Sequence, residues 1–200
     1  MLEILTGTGL ASAAGLNAYV PLLAVGILAR YTDLLPLGPG WQWLEHPVVL
    51  VVLGVLLVLE VAADKIPAVD SVNDVVQTFV RPTSGGITFG AGASAITAAD
   101  IASAADGDGS WWPIVVGALI ALAFHGLKAA ARPVLNTVTF GAGGPVVSTA
   151  EDIASAVTSL LAIVLPILVL VVLPLTAAVG IWAWRSRRRR RRLRAGQAGP

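Results

Sequence analysis

Cysteine is absent from the 200 residues, and methionine occurs once. That excludes a disulfide framework, a thiolate zinc site and a thiol nucleophile. Charge is scarce as well: Asp, Glu, Lys and Arg make up 12% of the chain, against about 25% in a soluble domain. Histidine occurs twice, at His46 and His125 on separate segments. No metal-ligand spacing is present, and neither a metal nor a cofactor is expected. There is no Walker A loop, no HExxH, no GxSxG elbow and no complete dinucleotide fingerprint.

What the sequence does have is apolar length. Hydrophobic residues reach 56% and mean hydropathy is +0.82, which predicts an integral membrane protein. The formal charge of +1 hides an asymmetry. Eight arginines lie in one tail, at Arg185, Arg187 to Arg192 and Arg194, and the remainder holds five basic residues against twelve acidic ones, a net of −7. We divide the chain into a helical transmembrane domain, residues 1–184, and an arginine-rich tail, residues 185–200.

A helix needs ~20 apolar residues to cross a bilayer. Five stretches qualify: 5–28, 47–63, 84–104, 111–131 and 153–184. The expected fold is therefore an all-α polytopic membrane bundle of about five spans. Asn17 and Pro21 interrupt the first stretch. Its last counterpart would be about 48 Å long if straight, so it should tilt or kink at Pro166 or Pro174. Residues 34–45 are too rich in Pro and Gly for a helix and read as an interfacial or re-entrant loop. Trp41, Trp43, Trp111, Trp112, Trp182 and Trp184 fall near span ends, as in an interfacial aromatic belt. The N-terminus has Glu3 and no basic region, and is a poor signal peptide. Retained arginines predict a cell-membrane protein with a cytoplasmic tail. That tail also offers charge to anionic lipid; nucleic acid is not expected as a partner.

Ionisable groups in hydrocarbon cost ~2.5 to 3.5 kcal/mol each on insertion scales, so they carry the most information. Glu60 and Asp64 share a helical face at the end of the second stretch, followed by Lys65. His125, Lys128 and Arg132 form a stripe at the end of the fourth. In a five-span arrangement these acidic and basic stripes face each other. The connecting segments then add Asp70, Asp74, Arg81, Asn136, Glu151 and Asp152 as a mouth. Asn17 sits deeper, and Pro21 is expected to free its carbonyl. Gly86 and Gly90 form a GxxxG pair suited to close packing within a bundle or across a homo-oligomer.

An internal echo is also visible. Arg-Pro at 81–82 and 132–133, Thr-Phe-Gly-Ala-Gly at 88–92 and 139–143, and Asp-Ile-Ala-Ser-Ala at 100–104 and 152–156 recur at offsets of 51, 51 and 52 residues. Duplicated halves are common in transporters. On that pattern, residues 141–148 are expected to enter the membrane as a broken segment.

At these residues the chain resembles a family of uncharacterised bacterial membrane proteins, domain of unknown function 4126. The resemblance spans most of residues 8–165. It is carried by AGLNAY at 14–19 and DKIPAVDSVNDVVQTFVRP at 64–82. His125, Lys128, Arg132, Asn136, Thr137, Ser148, Glu151 and Asp152 also contribute. The stretch VTFGAGGP at 138–145 departs from the more polar, proline-containing one usual there. The resemblance implies a small polytopic helical protein and no particular activity.

The charged set reads as the vestibule of a small transporter or channel for an ion or small polar solute. Glu60, Asp64, Lys128 and Arg132 line it. One rival is a non-catalytic membrane scaffold or assembly subunit, in which these charges are paired and dry. Another is an intramembrane enzyme acting on lipid through Asp64 and His125.

Overall fold

The computed structural model describes residues 2–65, 67–94, 111–138 and 144–175, with 178 and 185; within these, the side chains of 67–72, 74 and 130–138 lie outside the described set. Every described element is helical. In chain order they are α1 (Leu2–Leu16), α2 (Tyr19–Tyr31), a 3-10 turn (Gln42–Glu45), α3 (Pro47–Ala63), α4 (Pro67–Ser94), α5 (Trp112–Val138) and α6 (Gly144–Val164). Two helical stretches, Trp112–Ala129 and Gly144–Val164, are long and apolar enough to cross a membrane.

α1 and α4 form the centre: α4 lies along both α5 and α1, while α1 also packs on α5 and α6. Small residues let these backbones approach. A Cβ on Gly85 would lie 2.3 Å from that of Ala121, and one on Gly117 would lie 2.3 Å from the Gly85 carbonyl oxygen. The same economy places Gly7 and Gly92 side by side where α1 crosses α4. Gly86 and Gly90 are covered within the chain, by Ile114 and Trp41. An oligomer built on that pair would have to displace both.

Residues 34–45 are irregular apart from the one 3-10 turn. Leu35, Leu37 and Leu44 nonetheless bury in the apolar core with Leu10, Leu22, Val25, Leu53 and Ala162. Trp41 seats on Gly90, and Trp112 meets Phe89 edge-on at 6.1 Å between ring centres. Both tryptophans therefore sit at the same end of the bundle as the C-terminal end of α4.

The expected interruption of the first apolar stretch falls at Asn17 and Ala18, which part it into two helices. Two other expectations change. The third stretch begins far earlier than Ser84: the segment taken as a connection, including Asp70, Asp74 and Arg81, is the first half of α4, which runs through Pro82. Glu151 and Asp152 likewise belong to a helix, α6, rather than to a connecting segment. The predicted break in the last stretch does occur, at Leu165, where Pro166 starts a new turn. Residues 95–110, 139–143 and most of the arginine tail lie outside the described residues. So do the second Thr-Phe-Gly-Ala-Gly run, Asp100, Trp182 and Trp184.

Candidate functional site

The site begins with a helix that stops. At Asn17 the side-chain Oδ1 accepts hydrogen bonds from the backbone N–H groups of Tyr19 (3.0 Å) and Val20 (3.1 Å). An asparagine used in this way caps the next helix instead of continuing the last one. Pro21 then lies in the first turn of α2, where a missing N–H costs no helical bond. The break is therefore written in Asn17, with Pro21 conforming to it.

Ending α1 in the interior releases carbonyls that must be paired. Side chains from three other helices supply the donors. Arg81 Nη1 donates to Gly15 O (3.1 Å), Lys128 Nζ to Leu16 O (3.0 Å) and Ser84 Oγ to Ala18 O. From α6, Ser155 Oγ adds a bond to Ala13 O (2.9 Å), which also accepts from the backbone N–H of Asn17 (3.0 Å). Two cations at a helix C-terminus also oppose the negative end of its dipole.

Each cation carries its own carboxylate. Arg81 Nη2 lies 3.3 Å from Glu60 Oε1 on α3, and Lys128 Nζ lies 2.9 Å from Glu151 Oε2 on α6. Asn17 Nδ2 donates to Asp152 Oδ1 (2.9 Å). Asp64 accepts from Asn73 Nδ2 and Ser148 Oγ, both at 2.8 Å. Arg81 is wholly buried, Glu60 is 3% exposed, and Asp64 and Lys128 are 5% exposed. The cluster is thus an internal network reaching each of α1 to α6.

Histidine protonation follows from the geometry. Arg81 Nη1 lies 3.3 Å from His125 Nδ1. A guanidinium has donors only, so Nδ1 must be a bare acceptor. The ring is then the neutral tautomer with its proton on Nε2, facing Thr78 Oγ1 at 3.3 Å. Gln77 Oε1 accepts from Arg81 Nε at 3.3 Å.

Of the residues selected from the sequence, eight come together: Asn17, Glu60, Asp64, Arg81, His125, Lys128, Glu151 and Asp152. Two ion pairs are seen among the described residues. Glu60 pairs with Arg81 of α4, and Lys128 with Glu151 of α6. Lys65 is exposed, with Nζ 3.5 Å from Val61 O, and stands outside the cluster. The side chains of Asp70, Asp74, Arg132 and Asn136 lie outside the described residues. His46 caps α3 instead, its Nδ1 facing Val48 N–H at 3.3 Å.

Asn73, Gln77, Thr78, Ser84 and Ser155 were not selected. A signal for them existed. Residues 73, 77, 81, 84 and 88 are polar at intervals of four, four, three and four, the period of one helical face. Pro82 in the middle of that run argued for a boundary and hid the face.

Asn17→Ala should lower thermal stability in detergent by the equivalent of about 1–2 kcal/mol, the worth of a strong cap. Asn17→Asp keeps the capping oxygen but sets a second carboxylate against Asp152, so it should also destabilise at neutral pH. A melting temperature unchanged in both would sink this account of the break.

The fold and cluster define an all-helical protein with a charged interior. The profile of the family described as Domain of unknown function (DUF4126) matches residues 4–186, and the chain belongs to that family. No curated protein and no solved structure matches it.

Proposed function

We propose that the chain is a multi-pass integral membrane protein of about five spans. In this reading the cluster is the closed form of a pathway for an ion or small polar solute. Membrane residence is supported by an inverted distribution of polarity. On α3, Val48, Val51, Val52, Val55, Val58 and Leu59 are exposed, whereas Glu60 is buried. A water-soluble protein does the reverse. Trp41 and Trp112 give the depth, since such rings favour the membrane interface. Along the helices Arg81 lies about 12 Å from that level, and Glu60 about 20 Å. Both depths fall inside a hydrocarbon core of ~30 Å.

The observation that carries the transport reading is the interruption between α1 and α2 at that depth. Broken helices near the midplane are where transporters hold polar cargo. Here Arg81 and Lys128 occupy the freed carbonyls, and side chains can leave such positions where backbone cannot. Stability alone does not call for these charges, because an apolar core of equal volume is often as stable as a buried ion pair. The scaffold reading has its own support: Arg81 and Lys128 are both paired. In either case we place the arginine tail on the cytoplasmic side, beside anionic lipid.

Accessibility separates the two. Ser148 is 1% exposed and touches Asp64, and the chain has no competing thiol. Ser148→Cys in membrane vesicles should react with an impermeant, water-soluble thiol reagent as the pathway opens. Gly126→Cys, on the exposed outer face of α5, should not. A Ser148→Cys protein that stays inert until denatured would favour the scaffold.

A further inference from the structure

We propose that the ion handled by this cluster is a proton and that Glu60 is the residue that binds it. This rests on the transport reading above and names its cargo or coupling ion. Glu60 is 3% exposed. Its Oε1 accepts from Arg81. Its Oε2 is buried with no hydrogen-bond partner among the described residues. A buried carboxylate oxygen left in that state is costly, and a bound proton removes the charge that makes it so.

Two neighbours of Glu60 in the network, Arg81 and His125, are poor carriers for stated reasons. Arg81 does not give up a proton. His125 Nδ1 already faces an Arg81 N–H, so a proton there would expel the guanidinium. A metal ion is a poorer fit at Glu60 than a proton. Hard cations require several oxygen ligands, a guanidinium stands 3.3 Å away, and among the described residues no three of His, Asp and Glu are placed to hold one. The charged and titratable groups acting on Glu60 are Asp64 on its own helix, Arg81 on α4, Lys128 on α5 and Asp152 on α6. Tyr19 on α2 senses it in turn.

The step balances simply. Hydronium gives up a proton to Oε2, breaking its own O–H bond and leaving water, and Glu60 becomes neutral. Its bond to Arg81 changes from an ion pair to a neutral-acceptor hydrogen bond. Arg81 keeps Gly15 O, Gln77 and His125. The tie that weakens is the ion pair joining α3 to α4 at Glu60, while Asp64 at the end of α3 keeps Asn73 and Ser148, so proton uptake loosens α3 from α4 at that level. Release of the proton restores the pair.

Infrared difference spectroscopy of the full chain in vesicles, between neutral and acidic pH, reads this directly. The wild type should gain a protonated-carboxyl C=O band that is lost in Glu60→Gln. The band should persist in Asp33→Asn, where the altered residue is exposed. The glutamine retains an oxygen for Arg81, so the fold should survive; Glu60→Asp should keep the band at a shifted frequency. A band of equal size in wild type and Glu60→Gln overturns the proposal. Ser148→Cys labelling in the same vesicles keeps the two readings apart. Labelling without a Glu60 band means a pathway for another ion. A Glu60 band without labelling supports the proton site and overturns transport.

Discussion

Arg81→Ala should cost the protein most of its stability. The guanidinium ties Glu60 on α3, Gly15 at the end of α1, His125 on α5 and Gln77 on its own helix. Alanine would leave the Glu60 carboxylate and the Gly15 carbonyl buried without their donor. Removing one partner of a buried ion pair costs about 3–5 kcal/mol, and whole domains are stable by only about 5–15. The expected result is loss of the monodisperse peak in mild detergent, or a large fall in melting temperature. Adding Glu60→Leu to Arg81→Met should recover much of the loss, since an apolar pair removes the stranded charge. If Arg81→Ala melts like the wild type, this guanidinium does not hold the helices together.

The second large effect is expected at the crossing of α4 and α5. A side chain at Gly117 would put its Cβ 2.3 Å from the Gly85 carbonyl oxygen and 2.4 Å from the Phe89 Cβ. The first of these is backbone and cannot rotate away. Gly117→Val must therefore push the helices apart, and overpacking of this kind costs about 1–3 kcal/mol, sometimes more. The displacement would also pull Arg81 from His125, which lie on these same two helices. A thermal melt of Gly117→Val should show a fall of that size. Gly126→Ala on the same helix is the control: its Cβ meets nothing within 4 Å, and removing a mid-helix glycine favours the fold by roughly 0.5–1 kcal/mol. Equal melting temperatures for the two variants would contradict this packing.

Of the residues behind these two expectations, Arg81 was conspicuous in the sequence and Gly117 was not. Arg81 stood out as a charge near apolar runs, and the sequence places it in a connecting segment just before Pro82. α4 tolerates that proline in its interior. Tertiary packing on α1 and α5 outweighs the local signal, as it often does. Gly86 and Gly90 stood out as a motif, and such a motif says only that something comes close. Ile114 and Trp41 turn out to be what comes close.

The sequence by itself determined the helical class, the family, and the residues too costly to bury without a purpose. It also determined the break at Asn17, because capping and proline chemistry act over a few neighbouring residues. Spacing of three and four was enough to put Glu60 with Asp64, and His125 with Lys128, on common faces. Only the tertiary structure decided which faces meet. Asn17 finds Asp152 across 135 residues of chain, and Lys128 finds Leu16 across 112. Helical periodicity fixes the direction of a side chain about its own axis. It carries no information about which distant helix lies there, and that depends on how small residues such as Gly85 and Gly117 let whole helices approach.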